Sequence, residues 1–234
     1  SYAASLRPGV WQLSEMSTGS YLRFTSDSSH ISFKWTLRSV CVEKWFAGCH
    51  LFHMPDSGTN AFDTYIWDSG ASLSTSSSAG GWCHYPNSLL HYSESGTGSL
   101  IQPDSFRGQN STWLVYLPLR NAPDTIYLTP MTPGTICGAG CAADIAAEFA
   151  MPPIVWYGTS IQQGGVASRA GNTYDAVISR TLQREVLNLG FANNGVMELA
   201  VGKLLCDIKD AAVIVIDCLP NMNAAQVTNR TIPL

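Results

Sequence analysis

The run Ile154-Val155-Trp156-Tyr157-Gly158-Thr159-Ser160 sets the architecture of the second half of this chain. Its first four residues are all apolar and follow Pro152-Pro153, which is typical of a short strand covered on both faces. Beyond it the side-chain spacing predicts, in order, a helix over 172–182, a strand over 186–189, a helix over 197–205 and a strand over 211–216. Repeated strand–helix–strand units indicate a parallel sheet with right-handed crossovers.

The residues before this sheet alternate between apolar and polar side chains. The alternation over 21–24 and 31–37 predicts two strands, and the polar residues 25–29 between them predict a hairpin. Further elements are predicted as strands over 62–67, 112–117 and 124–128, and as Ser/Gly-rich connections over 69–81 and 93–98. The predicted architecture is an antiparallel β-sandwich over 1–148 and an α/β domain over 149–234, joined by a short helix over 142–149.

Composition excludes several classes of protein. The chain has 234 residues, of which 45% are hydrophobic and 13% charged, and this describes a folded rather than a disordered chain. Thirteen Lys and Arg stand against 17 Asp and Glu, giving a net charge of -4 without a basic run, so neither nucleic acid nor an anionic membrane is an expected partner. The longest apolar stretches fall well short of the roughly 20 residues that span a bilayer.

Cysteines and glycosylation motifs predict a secreted glycoprotein. There are seven cysteines, and acceptor motifs begin at Asn110 and Asn229. The first residue is Ser1 rather than Met, which fits a start after a removed signal peptide and equally fits a fragment. An odd cysteine count leaves at least one thiol unpaired or paired outside this chain.

The cysteine spacing suggests some pairings and argues against another. Cys41–Cys49 is a candidate disulfide across a loop, and Cys137–Cys141 is either a local disulfide or two free thiols. Cys206 and Cys218 are not expected to pair, because one ends a helix and the other a strand, about 15 Å or more apart at 3.3 Å per strand residue.

Polar residues follow each of the three predicted parallel strands. Ser160 comes after the first strand, Asn193 and Asn194 after the second, and Asn221 after the third. Because the carboxyl ends of parallel strands meet at one edge of a sheet, these side chains are predicted to converge. A serine hydroxyl with amide donors suits acyl transfer, in which the hydroxyl attacks and the donors hold the oxyanion. Equally, Ser160 fits a helix N-cap and the asparagines fit left-handed turns.

These segments resemble the blocks of the SGNH/GDSL hydrolases. Gly158-Thr159-Ser160-Ile161 is similar to the first block, Asn188-Leu189-Gly190-Phe191 to the second, and residues 215–222 to the third. The first half, notably Val10-Trp11-Gln12-Leu13-Ser14 and His53-Met54-Pro55-Asp56-Ser57-Gly58, resembles the branch in which a β-sandwich precedes the hydrolase domain. The resemblance implies a flavodoxin-like parallel sheet, with the sandwich as a carbohydrate-binding or active-site-flanking domain.

The resemblance also implies a reaction. Ser160 would attack an ester carbonyl, while the backbone N–H groups of Ser160 and Asn193 and the Asn221 side chain would hold the oxyanion. The substrate would be an acylated carbohydrate or a related small ester, and neither cofactor nor metal is implied. The glycine of the family's second block falls on Asn193, which keeps the N–H and tolerates positive φ but narrows the space for substrate.

The family's fourth block, an Asp and a His three residues apart, has no counterpart after Asn221. No histidine occurs beyond His91. Asp27-Ser28-Ser29-His30 has the spacing of the fourth block, but it falls in the predicted hairpin turn, so we do not expect it to be catalytic. The predicted sheet therefore looks incomplete and leaves an apolar edge strand. Further sequence or a second chain could supply the missing strands and the Asp/His pair. Self-association would instead give a catalytically silent carbohydrate-binding or assembly-forming protein.

Two other groups of residues are candidate sites. His50, His53 and Asp56 lie close together in the sequence, but their spacing matches no zinc pattern, so no metal site is predicted. A sugar-stacking platform could be drawn from the tryptophans of the first half, although tryptophans of a sandwich are more often core: Trp11, Trp35, Trp67, Trp82 and Trp113.

Overall fold

The computed structural model describes residues 6–38, 51–69, 80–86, 94–138 and 151–233. The strands of these residues are β1 (Tyr21–Ser26), β2 (His30–Leu37), β3 (Asp63–Asp68), β4 (Gly81–His84), β5 (Ser95–Ile101), β6 (Ser111–Tyr116), β7 (Pro123–Pro130), β8 (Ile136–Cys137), β9 (Ile154–Gly158), β10 (Val186–Gly190) and β11 (Val213–Asp217). The helices are α1 (Pro8–Ser14), α2 (Asp56–Thr59), α3 (Tyr174–Leu182), α4 (Leu199–Leu205) and α5 (Ala224–Arg230). Short 3₁₀ turns cover Asp104–Phe106, Ala170–Asn172 and Leu219–Asn221.

The first half forms two antiparallel sheets that share one core. The larger sheet has the order β4-β3-β6-β1-β8 and the smaller one the order β5-β2-β7. Phe24 and Trp113 of the larger sheet and Phe33 and Trp35 of the smaller one belong to the same buried cluster. Trp35 and Trp113 are fully buried, so these two tryptophans are core residues.

The predicted hairpin between β1 and β2 is wrong. β1 pairs with β6 and β8, whereas β2 pairs with β5 and β7, so the chain passes from one sheet to the other at residues 27–29. Side-chain hydrogen bonds hold this crossing: the Ser28 N–H donates to the Ser26 hydroxyl, and the Ser28 hydroxyl donates to the His30 carbonyl at 2.9 Å. Alternating hydrophobicity identifies the buried face of each strand but does not select its neighbour.

Three elements of the first half differ from the prediction. β4 and β5 include residues predicted as connections, and Gly96 of β5 explains one of these errors, because a Cβ there would lie 2.5 Å from Trp35 Cζ2. The missing side chain leaves room for the indole. α1 is a helix in a stretch for which no helix was predicted; Pro8 occupies its first turn, and Val10 and Leu13 pack into the core of the second half.

The second half follows the predicted order of elements. Its three strands form a parallel sheet of order β10-β9-β11, and the predicted helices appear as α3 and α4. Gly158 at the end of β9 is in register with Gly190 of β10 and Asp217 of β11. The fold is therefore a combination of antiparallel and parallel sheets in which all three parallel strands end at one level.

β11 lies at one edge of the parallel sheet and is poorly covered. Val213, Ile214 and Ile216 are each at least 40% exposed. Among the described residues no helix has the length and apolarity required to cross a membrane.

Several predictions fall on residues that are not described. The helix over 142–149, the boundary at 148/149, and Cys41, Cys49 and Cys141 all lie outside the described ranges, so the domain division and the candidate disulfides stay predictions. Cys206 and Cys218 are free thiols, as expected for two residues that were not predicted to pair.

Candidate active site

The structure places Ser160, Asn193 and Asn221 just beyond the ends of the three parallel strands. Ser160 lies two residues after β9, Asn193 three after β10, and Asn221 four after β11. We call residues 159–166 the first turn and residues 191–195 the second loop; Asn221 ends the 3₁₀ turn Leu219–Asn221. Since the strand ends are in register, the three segments begin at the same edge of the sheet.

The second loop contacts the segments on both sides of it. The Asn221 Nδ2 group donates a hydrogen bond to the carbonyl oxygen of Asn194. Gly195 has a φ of 66°, and a Cβ there would overlap the Gly158 carbonyl and lie 3.3 Å from Thr159 Cα. Only glycine meets both requirements without strain. The three predicted site residues thus lie on segments that touch one another.

Ser160 lies in a compact turn rather than at a helix start. The Gln163 N–H donates to the Thr159 carbonyl at 3.0 Å, and the Gly165 N–H donates to the Ser160 carbonyl at 2.7 Å. The N-cap of α3 is Thr173, so the alternative interpretation of Ser160 as a helix N-cap is wrong. The half-buried serine is therefore held by its backbone, as a positioned nucleophile requires.

The two asparagines suit oxyanion stabilisation in different ways. Asn193 is exposed and has a φ of 55°, so the predicted left-handed turn is present at this position. This backbone conformation still leaves its N–H as a candidate donor. Asn221 carries an amide with two N–H donors, and its bond to Asn194 uses one of them. The second is the candidate donor to a bound oxygen atom.

Asn188, within β10, connects the second strand to the first turn. Its Nδ2 group donates to the Gln162 carbonyl at 2.7 Å and to Asp175 Oδ2 at 2.9 Å, and its Oδ1 accepts from the Gly190 N–H at 2.9 Å. Burial raises the pKa of the Asp175 carboxyl. A polar residue in an otherwise apolar strand was the available sequence signal for this supporting role.

A buried hydrogen bond holds the end of β9. The Tyr157 hydroxyl donates to Glu198 Oε2, and Glu198 Oε1 accepts from Arg7 Nη1 at 3.1 Å. Burial raises the pKa of Tyr157, and the adjacent Glu198 carboxylate raises it further. Because Tyr157 directly precedes Gly158, this contact anchors the end of β9. Sequence reasoning missed Glu198, which shows no distinctive spacing.

The Asp27 and His30 side chains are occupied within the antiparallel half. Asp27 Oδ1 accepts from the Thr135 N–H at 2.7 Å, and this hydrogen bond lowers the pKa of the Asp27 carboxyl. His30 Nε2 pairs with the Ser99 hydroxyl at 3.0 Å. The two residues therefore have separate partners instead of forming a dyad.

The remaining candidates are a metal site, a tryptophan pair and two cavities. Within the described residues no group of three or more His, Cys, Asp or Glu side chains could hold a metal ion, and His50 lies outside them. Trp67 and Trp82 stack edge to face, with centroids 5.3 Å apart, and line a cavity of about 270 Å³ beside Arg180. Two larger cavities, of about 370 and 450 Å³, are not lined by Ser160, Asn193 or Asn221.

Two family models match this chain. Residues 1–128 match the N-terminus of the SGNH-hydrolase-type esterases, and residues 151–234 match the GDSL-like lipase/acylhydrolase family. No curated protein matches the chain.

Solved structures show the same similarity. A protein described as a GDSL-like lipase from Bacteroides ovatus is 26% identical, with a TM-score of 0.79 over 99% of this chain and 60% of that one. The salicylyl-acyltransferase SsfX3 from a tetracycline biosynthetic pathway is 15% identical, with a TM-score of 0.58 over 91% of this chain and 51% of that one. A family two carbohydrate esterase from Clostridium thermocellum is 10% identical, with a TM-score of 0.43 over 78% of this chain and 47% of that one. The chain thus spans 60% or less of the length of each of these proteins.

Proposed function

The chain belongs to the SGNH/GDSL hydrolases, and from this premise we propose that it is a serine esterase that uses Ser160 as its nucleophile. The observation that carries the proposal is the contact between strand-end segments, in which Asn221 donates to Asn194 and Gly195 lies against Gly158. It supports the proposal because the strands that precede Ser160, Asn193 and Asn221 end in register at one edge of the sheet.

In the proposed reaction the Ser160 hydroxyl attacks the ester carbonyl and gives its proton to a general base. The backbone N–H groups of Ser160 and Asn193 and the Asn221 amide stabilise the negative charge that develops on the carbonyl oxygen. The alcohol leaves with the proton, and water then attacks the acyl-enzyme to release the acid. For the base we propose the Asp/His pair of the family's fourth block, which has no counterpart between Asn221 and Leu234 and would have to come from residues outside the given sequence or from a second chain.

We take the substrate to be an acylated carbohydrate or a related small ester. Membership of the SGNH/GDSL hydrolases supports an ester as the substrate of Ser160. The two antiparallel sheets would be the layers of a β-sandwich that flanks the active site, and the parallel sheet the first three strands of a flavodoxin-like domain. The protein would be secreted, disulfide-bonded and glycosylated at Asn110 and Asn229, both of which are exposed.

A second candidate function is favoured by the exposed residues of β11. β11 is an edge strand, and its Val213 is 47% exposed. Such a strand is suited to pairing with another copy of the chain. A scaffold that associates in this way without a base would be a catalytically silent carbohydrate-binding or assembly-forming protein.

Labelling with a fluorophosphonate distinguishes the two functions. The esterase should become covalently modified at Ser160, which tryptic mass spectrometry locates, and Ser160→Ala should abolish the label. Peptide mapping of the natural protein would show whether an Asp-x-x-His peptide lies beyond Leu234. Absence of labelling in a protein that contains such a peptide would refute the esterase.

A further inference from the structure

Arg120 is a buried arginine of the antiparallel half that reaches the parallel half. It is only 3% exposed and follows β6, where its N–H donates to the Thr59 carbonyl at 3.1 Å. The preceding residue, Leu119, makes two hydrogen bonds. Its N–H donates to the Gly58 carbonyl, and its carbonyl accepts from the Thr18 hydroxyl. The backbone of Arg120 therefore has a defined position.

The guanidinium group of Arg120 binds the side chain of Gln163 in the first turn. Arg120 Nη1 donates to Gln163 Oε1 at 2.9 Å. The same oxygen accepts the N–H of Ala192 at 2.8 Å, and Gln163 is fully buried. Since both partners are donors, the amide presents its oxygen to them, while its Nε2 donates to Met16 Sδ at 3.2 Å. Arg120 supplies the charged donor of this set.

Ala192 is the residue before Asn193 in the second loop. Its N–H is tied to the first turn through Gln163, one peptide unit away from the N–H proposed to hold the oxyanion. The backbones also approach closely here, since a Cβ at Gly190 would overlap the Gln163 backbone nitrogen. A single amide oxygen thus links the first turn, the second loop and the antiparallel half.

We propose that Arg120 is a positioning residue of this site, which through Gln163 sets the location of the Asn193 N–H relative to Ser160. The expected effect on catalysis rests on the proposed esterase function. The link between the first turn and the second loop rests on geometry alone. Its chemical basis is that oxyanion donors stabilise the transition state only when they are held in place before the reaction.

The first experiment compares steady-state kinetics of wild type, Arg120→Met and Arg120→Lys on a small aryl ester, normalised to the fraction of sites that a fluorophosphonate titrates. Arg120→Met should lower kcat about 10- to 100-fold while KM stays within about threefold, because the lost stabilisation belongs to the transition state. Arg120→Lys keeps a charged donor and should recover part of the loss. A purely structural role would lower the titratable fraction and leave the normalised kcat unchanged, which would overturn the proposal.

Arg169→Met is the matched control. Arg169 also joins the two halves, through Asp63 at 3.3 Å, and its side-chain hydrogen bonds among the described residues go to Asp63 and Asn172 instead of Gln163 or the second loop. Its loss should leave the normalised kcat within about twofold of wild type. An equal fall in kcat in both arginine variants would show a general effect of the junction and would contradict a specific role for Arg120.

A double-mutant cycle tests the route through Gln163. If Arg120 acts by orienting this amide, Gln163→Met should lower kcat at least as much as Arg120→Met, and combining them should add little. Independent multiplication of the two effects would contradict the route.

Amide hydrogen exchange tests the coupling without activity. Arg120→Met should raise the exchange rate of Ala192 at least about tenfold, while amides of β2 stay protected. Unchanged exchange at Ala192 overturns the proposal whatever the kinetics show. Faster exchange at Ala192 in a protein whose wild type is inactive upholds the coupling of the two segments and refutes the esterase instead.

Discussion

The carboxylate of Asp63 accepts a hydrogen bond of 3.0 Å from the backbone N–H of Gly171, which links β3 to the turn before α3. The same carboxylate accepts from His84 Nε2 at 3.0 Å and lies 3.3 Å from Arg169 Nε. Asp63 is 1% exposed, so these partners take the place of water around its carboxylate. The junction of the two halves is therefore built around a buried anion as well as around apolar contacts.

Replacing this anion should destabilise the protein. Asp63→Asn keeps the shape but leaves one acceptor oxygen where the carboxylate has two, so part of the donor set loses its partner. We expect a loss of about 1–3 kcal/mol in the free energy of unfolding, measured by urea denaturation. The control is Asp104→Asn, whose carboxylate pairs with Arg107 while 89% exposed and should change stability by less than about 1 kcal/mol. Equal effects of the two substitutions would refute the buried junction.

The close approach at Gly171 should tolerate no side chain. A Cβ there would lie 2.5 Å from Tyr65 Cε2 and 2.6 Å from Asp63 Oδ2. Gly171→Ala should therefore cost about 1–3 kcal/mol, seen as a lower urea midpoint. Gly81→Ala is the matched control, because nothing lies within 4 Å of its Cβ position, and it should be neutral or slightly stabilising. A neutral Gly171→Ala would show that the turn and β3 do not pack this closely.

His84 should make the junction sensitive to acid. Burial lowers the pKa of His84, and the Arg169 and Arg180 charges lower it further, although the Asp63 carboxylate opposes them. The unfolded chain therefore binds the proton more readily just below pH 6.5, and acidification through that range favours unfolding. Wild type should lose more stability between pH 7.5 and 5 than His84→Gln, measured by urea denaturation at each pH. A steeper loss in His84→Gln would contradict the direction of the shift.

Asn193 should be replaceable by glycine with a gain in reactivity. Its φ of 55° suits glycine, whereas alanine would be strained by about 1 kcal/mol. Asn193→Gly keeps the N–H and widens the approach to Ser160, so the rate of fluorophosphonate labelling should rise several-fold with little change in melting temperature. Asn193→Ala should melt at a lower temperature than Asn193→Gly. Slower labelling of Asn193→Gly would indicate that the Asn193 side chain itself contributes to the site.

Sequence patterns predicted an element correctly where the residues of that element alone determine its burial. The apolar run at Ile154–Gly158 and the helical spacing of Tyr174–Leu182 predicted their elements, because burial on two faces or on one helical stripe leaves a direct mark on composition. Placement of Ser160, Asn193 and Asn221 at one edge followed from the parallel sheet alone. The same patterns did not predict β5 as a strand. Its Gly96 is typical of a connection, but glycine is needed there because the Trp35 side chain of β2 fills the space.

The sequence alone determined the order of strands and helices, because the spacing of apolar residues identifies each element within a few positions. That order also determined the sheet edge at which a site could form. Packing between distant segments decided the rest: β1 and β2 went to different sheets, α1 joined the core of the second half, and Arg120 met Gln163 across 43 positions of sequence. Such contacts have no local signature, because a buried guanidinium and its acceptor need each other only in space. Complementary shape and hydrogen bonding, rather than spacing along the chain, selected these partners.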